Sequence, residues 1–360
     1  MGPTLDPGLP PSAGSPGLAG AQATGTTAWW RLEMVCAPEL EESLLWKLPT
    51  LGITRVALCH RPEGPQRRLL LAWLPESDWP APERAELAQA LAPLGVPFGL
   101  SLPPLEWHRQ DDEDWSLSWK QHWQADPVGQ SLLILPAWLE APADQAHRRL
   151  IRMDPGSAFG TGSHPSTRLC LEALEELAEQ RGGLGGAAPL EGLRVADLGC
   201  GSGILALAAL RLGASQVAAV DTDSLAVRAT TANALLNDFS VDDGSQHPAQ
   251  PDQHPAQLDR SQNPAQLSVA LGSASTLETL LEGRPADLLL CNILAPVIEA
   301  LSPCFAGLLA PAGVGFLSGL LVDQAPGLEK VLAAQGWRAQ LVARQESWGL
   351  MRLEIRADVA

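Results

Sequence analysis

The sequence predicts an α/β protein in which a doubly wound, mainly parallel sheet ends in an antiparallel hairpin, preceded by a small α+β domain of ferredoxin-like type. Three observations support this. From about residue 131 onward, apolar strand-like runs alternate with helical patterns, the order that builds a parallel sheet covered on both faces. Residues 29–107 instead read strand, helix, strand, strand, helix, strand, the split βαβ order. The chain's 33 Gly and 31 Pro are over-represented in two segments, 1–28 and 241–266, so the remainder keeps an ordinary share and can form regular elements.

Residues 1–28 hold six Gly, five Pro and a single charge, too little apolar surface to offset the entropy of ordering. They read as a disordered tail. In domain 29–107 the strands fall at 29–36, 53–60, 67–74 and 99–107, and the helices at 38–51 and 81–94, with Pro38 and Pro82 in first turns that tolerate proline. No catalytic residues cluster there, so it reads as a docking module. Between 108 and 130 an acidic run, Asp111 to Asp114, precedes Trp115, Trp119 and Trp123. Their i, i+4, i+8 spacing puts three indoles on one face of a linker helix.

The domain at 131–360 has strand patterns at 132–136, 194–198, 216–221, 267–271, 286–292, 314–319, 337–344 and 349–356, with helical patterns at 165–181, 203–212, 224–236 and 323–335. No helix separates the last two strands, which predicts an antiparallel ending. Within 241–266, H-P-A-Q recurs at His247 and His254 and N-P-A-Q follows at Asn263; polar and Pro-punctuated, this reads as a low-complexity surface insertion. Its two histidines lack companion ligands, and no metal site is expected.

The formal charge is −17, from 24 Lys+Arg against 41 Asp+Glu. Direct nucleic-acid readout is disfavoured, because that affinity comes mainly from basic side chains on phosphates. A basic protein partner fits better. Six cysteines without a C-x-x-C pair suit a reducing compartment. No basic residue precedes Arg31 and no apolar run approaches the ~18 residues of a membrane span, so a cytoplasmic protein without a membrane partner is expected.

Three motifs carry chemistry. Asp197-Leu198-Gly199-Cys200-Gly201-Ser202-Gly203 joins a buried strand to a helix, where glycine lets backbone approach a ligand at the carboxyl end of a sheet. Its G-x-G-x-G spacing has Ile204 where a dinucleotide fingerprint needs glycine, so NAD is disfavoured. Asp221 ends the next strand, where a carboxylate can accept from two ribose hydroxyls; capping the helix at 224 is the alternative, and Asp223 suits that role better. Asp197 is placed to orient the glycine turn. Cys291-Asn292-Ile293-Leu294 ends a later strand over the same crevice; Asn292 either orients a substrate nitrogen or caps the helix near 295. Finally, residues 154–167 form a Gly-rich loop with Phe159, entering a helix at His164 and Pro165. Thr167 lies in its first turn, where hydroxyl and free N–H groups can hold a carboxylate, and His164 suits a capping role better than a general base.

Together, the glycine turn and the strand-ending Asp221 resemble class I S-adenosylmethionine-dependent methyltransferases. Residues 154–167, 195–203, 217–223 and 291–295 more specifically resemble the family that methylates ribosomal protein L-eleven of the large subunit, the F-G-T-G-x-H-P-x-T loop being its most particular feature. Ser166, Pro296, the tail and the insertion depart from the family pattern. The resemblance implies S-adenosylmethionine as methyl donor, held by Thr167, Gly199, Asp221 and Asn292, and lysine side chains and the amino terminus of the ribosomal protein as acceptors. It further implies that the first domain docks the ribosomal protein, and the acidic balance suits meeting that basic protein before it is buried in the ribosome. Enzymes that methylate a side-chain amide of a release factor commonly read N-P-P-Y where this chain has N-I-L-A, which disfavours that alternative.

Overall fold

The computed structural model describes residues 29–53, 55–60, 68–110, 123–154, 162–186, 188–242 and 266–356. The expected tail, Trp115, Trp119, Phe159 and most of the expected insertion lie outside the described residues.

The first unit contains β1 (Trp29–Cys36), α1 (Pro38–Thr50), β2 (Val56–His60), β3 (Arg68–Pro75), α2 (Ala81–Leu91) and β4 (Glu106–Gln110). Its strands pair in the order β2-β3-β1-β4, every neighbour antiparallel. Leu32, Met34 and Cys36 alternate onto one face of β1, and Leu40, Leu44 and Leu48 lay a stripe of α1 over them. On the other face Trp29, Leu71 and Trp73 pack with Trp123 and Trp138. The fourth strand differs from the expected 99–107 and begins at Glu106; Pro97, Pro103 and Pro104 lack the N–H a ladder needs. The linker helix expected at 108–130 is corrected at both ends, where residues 108–110 belong to β4 and β5 spans Asp126–Val128. Trp123 precedes β5, its indole N–H donating to Val56 O at 3.3 Å, so it covers the first sheet rather than sharing a helical face.

β5, β6 (Leu132–Pro136) and β7 (Arg149–Met153) form a separate three-stranded sheet in that order. Placing 132–136 in the main sheet is therefore also corrected. The cause is a buried anchor: the Glu175 carboxylate accepts from Gln130 N, Ser131 N and Ser131 Oγ at 2.8, 2.7 and 2.6 Å, which holds the β5–β6 turn against α3 (Pro165–Gly182).

The remaining chain runs β8 (Arg194–Leu198), α4 (Ile204–Arg211), β9 (Gln216–Asp221), α5 (Ser224–Leu236), β10 (Ser240–Asp242), β11 (Gln266–Leu271), α6 (Ala274–Leu280), β12 (Ala286–Asn292), α7 (Ala295–Leu301), α8 (Phe305–Leu308), β13 (Leu309–Leu321), α9 (Ala325–Ala334), β14 (Trp337–Gln345) and β15 (Trp348–Ile355). These strands make one sheet in the order β10-β11-β9-β8-β12-β13-β15-β14. All are parallel as far as β13, and β15 runs antiparallel to both β13 and β14. The expected insertion is narrowed, because residues 241–242 end β10 and Gln266 opens β11. Two apolar clusters cover the two faces, which explains why β12 reads as an unbroken buried run from Leu288 to Asn292. From β8 the chain steps outward through β9 to the edge strand β10, comes back one place to β11, then crosses the sheet to β12. That reversal opens a crevice at the carboxyl ends of β8 and β12.

Candidate active site

The four expected residues surround this crevice. Gly199 follows β8, Asp221 ends β9, Asn292 ends β12, and Thr167 lies in the first turn of α3. The turn after β8 passes through Gly199, Gly201 and Gly203, all at positive φ. At Gly199, with φ of 85°, a Cβ would lie 2.4 Å from Ile293 Cγ2, so only glycine lets the turn lie against the residue after Asn292. The N–H groups of Gly199 and Cys200 both donate to Val220 O, at 2.9 and 3.0 Å, stitching the turn to β9. Asp197 is fully buried, and its Oδ2 accepts from Ala206 N at 3.2 Å, tying the strand below the turn to the start of α4. Burial pushes its carboxyl up to about 7, opposed by that hydrogen bond and reinforced by the charge of Asp221.

The Asp221 carboxylate accepts from Gly201 N and Asp223 N, both at 2.9 Å. Burial raises its pKa against the pull of these donors. Helix α5 is capped by Asp223, whose Oδ1 accepts from Leu225 N at 2.8 Å, so Asp221 is not the cap. Asn292 is likewise not a cap, since α7 starts at Ala295 behind Leu294 without a side-chain cap. Its Nδ2 donates to Thr167 Oγ1 at 3.1 Å, and its buried Oδ1 has no hydrogen-bond partner among the described residues. Both side chains are buried, Thr167 at 1% and Asn292 at 7% exposure.

His164 is the N-cap of α3. Its Nδ1 accepts from Ser166 N at 3.2 Å, so the ring proton sits on Nε2, which donates to Pro38 O at 3.3 Å. Burial pushes its pKa down to about 3. It is a neutral structural bridge, unsuited to removing a proton from an amine. Burial also raises the thiols of Cys200 and Cys291, which fill space beneath the site.

The sequence reading missed the polar face of α5. Asn233 Oδ1 accepts from Asp154 N at 2.9 Å and its Nδ2 donates to Ser202 O at 2.9 Å, so it holds the start of the Gly-rich loop against the glycine turn. Thr230 Oγ1 donates to Gly201 O at 3.0 Å, and Asn237 exchanges hydrogen bonds with Arg152. The signal was present: polar residues at 230, 233 and 237 recur at helical spacing on the face turned to the apolar sheet.

The donor set fits one kind of ligand. Asp221 Oδ2 accepts from Gly201 N and Oδ1 from Asp223 N, and the several lone pairs of a carboxylate leave acceptor capacity for two hydroxyls. Asn292 offers an acceptor with no partner among the described residues, Thr167 offers a hydroxyl, the charge of Asp221 raises the Asp197 pKa, and no Lys or Arg stands among these residues. Such a site suits a nucleoside carrying positive charge and lacks what a phosphate requires. With the glycine turn, the strand-ending acid and an antiparallel β15 beside a parallel sheet, it defines a class I S-adenosylmethionine-dependent methyltransferase.

Comparison with known proteins narrows the class. The ribosomal protein L11 methyltransferase (PrmA) family matches residues 28–356. The chain is 56% identical over 332 residues to the ribosomal protein L11 methyltransferase of Synechococcus sp. (strain RCC307), covering 92% of this chain and 99% of that protein. It is 58% identical over 323 residues to that of Parasynechococcus marenigrum (strain WH8102), covering 90% and 100%. A solved ribosomal protein L11 methylase from Lactobacillus delbrueckii subsp. bulgaricus aligns at a TM-score of 0.48 and 27% identity, over 65% of this chain and 100% of that one. The chain belongs to the ribosomal protein L11 methyltransferase family. Among the described residues no helix is long and apolar enough to cross a membrane.

Proposed function

We propose that the protein transfers methyl groups from S-adenosylmethionine to lysine side-chain amines and the amino-terminal amine of ribosomal protein L11. In this reading Asp221 accepts from the ribose hydroxyls, the backbone at Gly199 lies beside the methionyl part, and Thr167 and Asn292 border the reacting end. When bound, the donor supplies an electrophilic methyl on a sulfonium; the new N–C bond forms as the S–C bond breaks, and the amine's surplus proton leaves to solvent. A lysine of pKa ~10.4 is almost wholly protonated at pH 7, so the site must favour the free amine by desolvation. The observation that carries the reading is the buried Oδ1 of Asn292, which has no partner among the described residues, with its Nδ2 anchored on Thr167 Oγ1. Accepting one amine N–H there aims the nitrogen lone pair, and alignment supplies most of the rate.

We read the antiparallel β2-β3-β1-β4 unit as a ferredoxin-like docking domain and the β14–β15 pair as the terminal hairpin of the class. The net charge of −17 favours a basic protein met in the cytoplasm, free of the ribosome, without direct nucleic-acid readout. The test is incubation of the full chain with recombinant L11 and tritiated S-adenosylmethionine, followed by mass spectrometry of L11. Label on lysine and amino-terminal nitrogen is expected; an unlabelled L11 beside a labelled RNA or other protein would sink the assignment.

A further inference from the structure

Helix α1 of the first unit touches the catalytic unit on both sides of the crevice. On one side Pro38 O accepts from His164 Nε2 at 3.3 Å, and Arg68, ion-paired at 3.0 Å with Glu41 of α1, donates to Ser163 O at 3.4 Å. These contacts fall three and four residues before Thr167. On the other side the indole Nε1–H of Trp46 donates to Asp223 Oδ2 at 3.0 Å. Trp46 lies off the buried Leu40, Leu44, Leu48 stripe and stays 37% exposed, so packing of its own unit does not account for where it sits.

We propose that Trp46 is a positioning residue for the methyl-donor site: by holding Asp223 it fixes Asp221, and donor binding and seating of the first unit favour one another. This rests on the reading that Asp221 holds the donor's ribose. Besides its carbonyl oxygen, which accepts from Val227 N at 3.2 Å, three atoms of Asp223 are each engaged once. Its Oδ1 caps α5, its backbone N–H donates to Asp221 Oδ1, and its Oδ2 receives Trp46. Without the indole, Oδ2 loses the donor that offsets its negative charge beside Asp221, and the pair of carboxylates is free to spread. Because coupling between two binding events is reciprocal, a donor that needs Asp221 in place also draws α1 onto the crevice.

The test is calorimetric titration of the full chain with S-adenosylhomocysteine. Trp46→Phe keeps the ring and removes only the N–H. Asp223→Asn keeps an equivalent N-cap oxygen but replaces the accepting oxygen. Each single variant should weaken binding roughly three- to tenfold, the net worth of one ordinary hydrogen bond, and the double variant should be no worse than the weaker single. Hydrogen exchange in α1 should slow on adding S-adenosylhomocysteine to the parent chain and change less in Trp46→Phe. Unchanged affinity in Trp46→Phe, or losses that multiply in the double variant, would overturn the proposal. Asp221→Ala separates the two ideas: if that change leaves binding intact, it is the ribose assignment that fails.

Discussion

Substituting Gly199 by alanine tests whether the glycine turn and the Asn292 strand end are one mechanical unit. At φ of 85° an L-residue pays ~1–2 kcal/mol for the left-handed conformation. The new Cβ would meet Ile293 Cγ2 at 2.4 Å, more than 1 Å inside an ordinary carbon contact of ~3.5–4.0 Å. Relief of such overpacking costs a further ~1–3 kcal/mol. The expected destabilisation is therefore ~2–5 kcal/mol, read by urea denaturation followed by far-UV circular dichroism. Since Ile293 directly follows Asn292, the displacement should also weaken S-adenosylhomocysteine binding. Ile293→Ala removes the clashing methyl, so the double variant should be less destabilised than the sum of the singles by the steric part, ~1–3 kcal/mol. Strict additivity, or a Gly199→Ala protein within ~0.5 kcal/mol of the parent, would refute the reasoning.

Asp221→Ala should cost at least a hundredfold in S-adenosylhomocysteine affinity by calorimetry, because two hydroxyls lose a charged acceptor, whereas Asn292→Ala should change affinity less than tenfold and lower kcat by tenfold or more; equal binding losses would make Asn292 a donor-holding residue first. Asp197→Asn should flatten the dependence of stability on pH. With its carboxyl moved from 3.8 to about 7, the folded state keeps a proton that the unfolded state releases, so the parent loses stability as pH rises from about 4 to 7, by up to ~4 kcal/mol. His164 acts in the opposite direction. Lowered from 6.5 to about 3, it costs the folded state up to ~3 kcal/mol as pH falls from 6.5 to 4.5, and His164→Gln should remove that loss in urea melts at the two pH values. Neither group should add a limb to the rate profile assignable to a general base.

What was legible in the sequence follows physical rules that act along the chain. Strand–helix alternation, the apolar run Leu288 to Cys291 in β12 and glycines at a strand end each report local requirements of a parallel sheet, so β8, β9 and β12 and the residues closing them fall at the expected positions. Asp223 as the α5 cap was also legible, because capping involves only neighbours. Other outcomes depended on contacts between distant residues. Whether 132–136 joined the main sheet was decided by Glu175, 44 residues away from Ser131, and the start of β4 by how far the proline-rich segment delays pairing with β1.

The site divides in the same way. Spacing by itself disfavoured a dinucleotide, since Ile204 stands where that fingerprint needs glycine, and the resemblance of the glycine turn and strand-ending Asp221 to class I methyltransferases implied the donor. That Asn292 is not a helix cap, and that its Nδ2 meets Thr167, 125 residues earlier, while its Oδ1 has no partner among the described residues, only the tertiary structure decided. The same holds for Trp46, 177 residues from Asp223. Local backbone chemistry is written in neighbouring residues, while the pairing of a buried polar atom depends on which remote elements pack around it, and only the folded chain determines that.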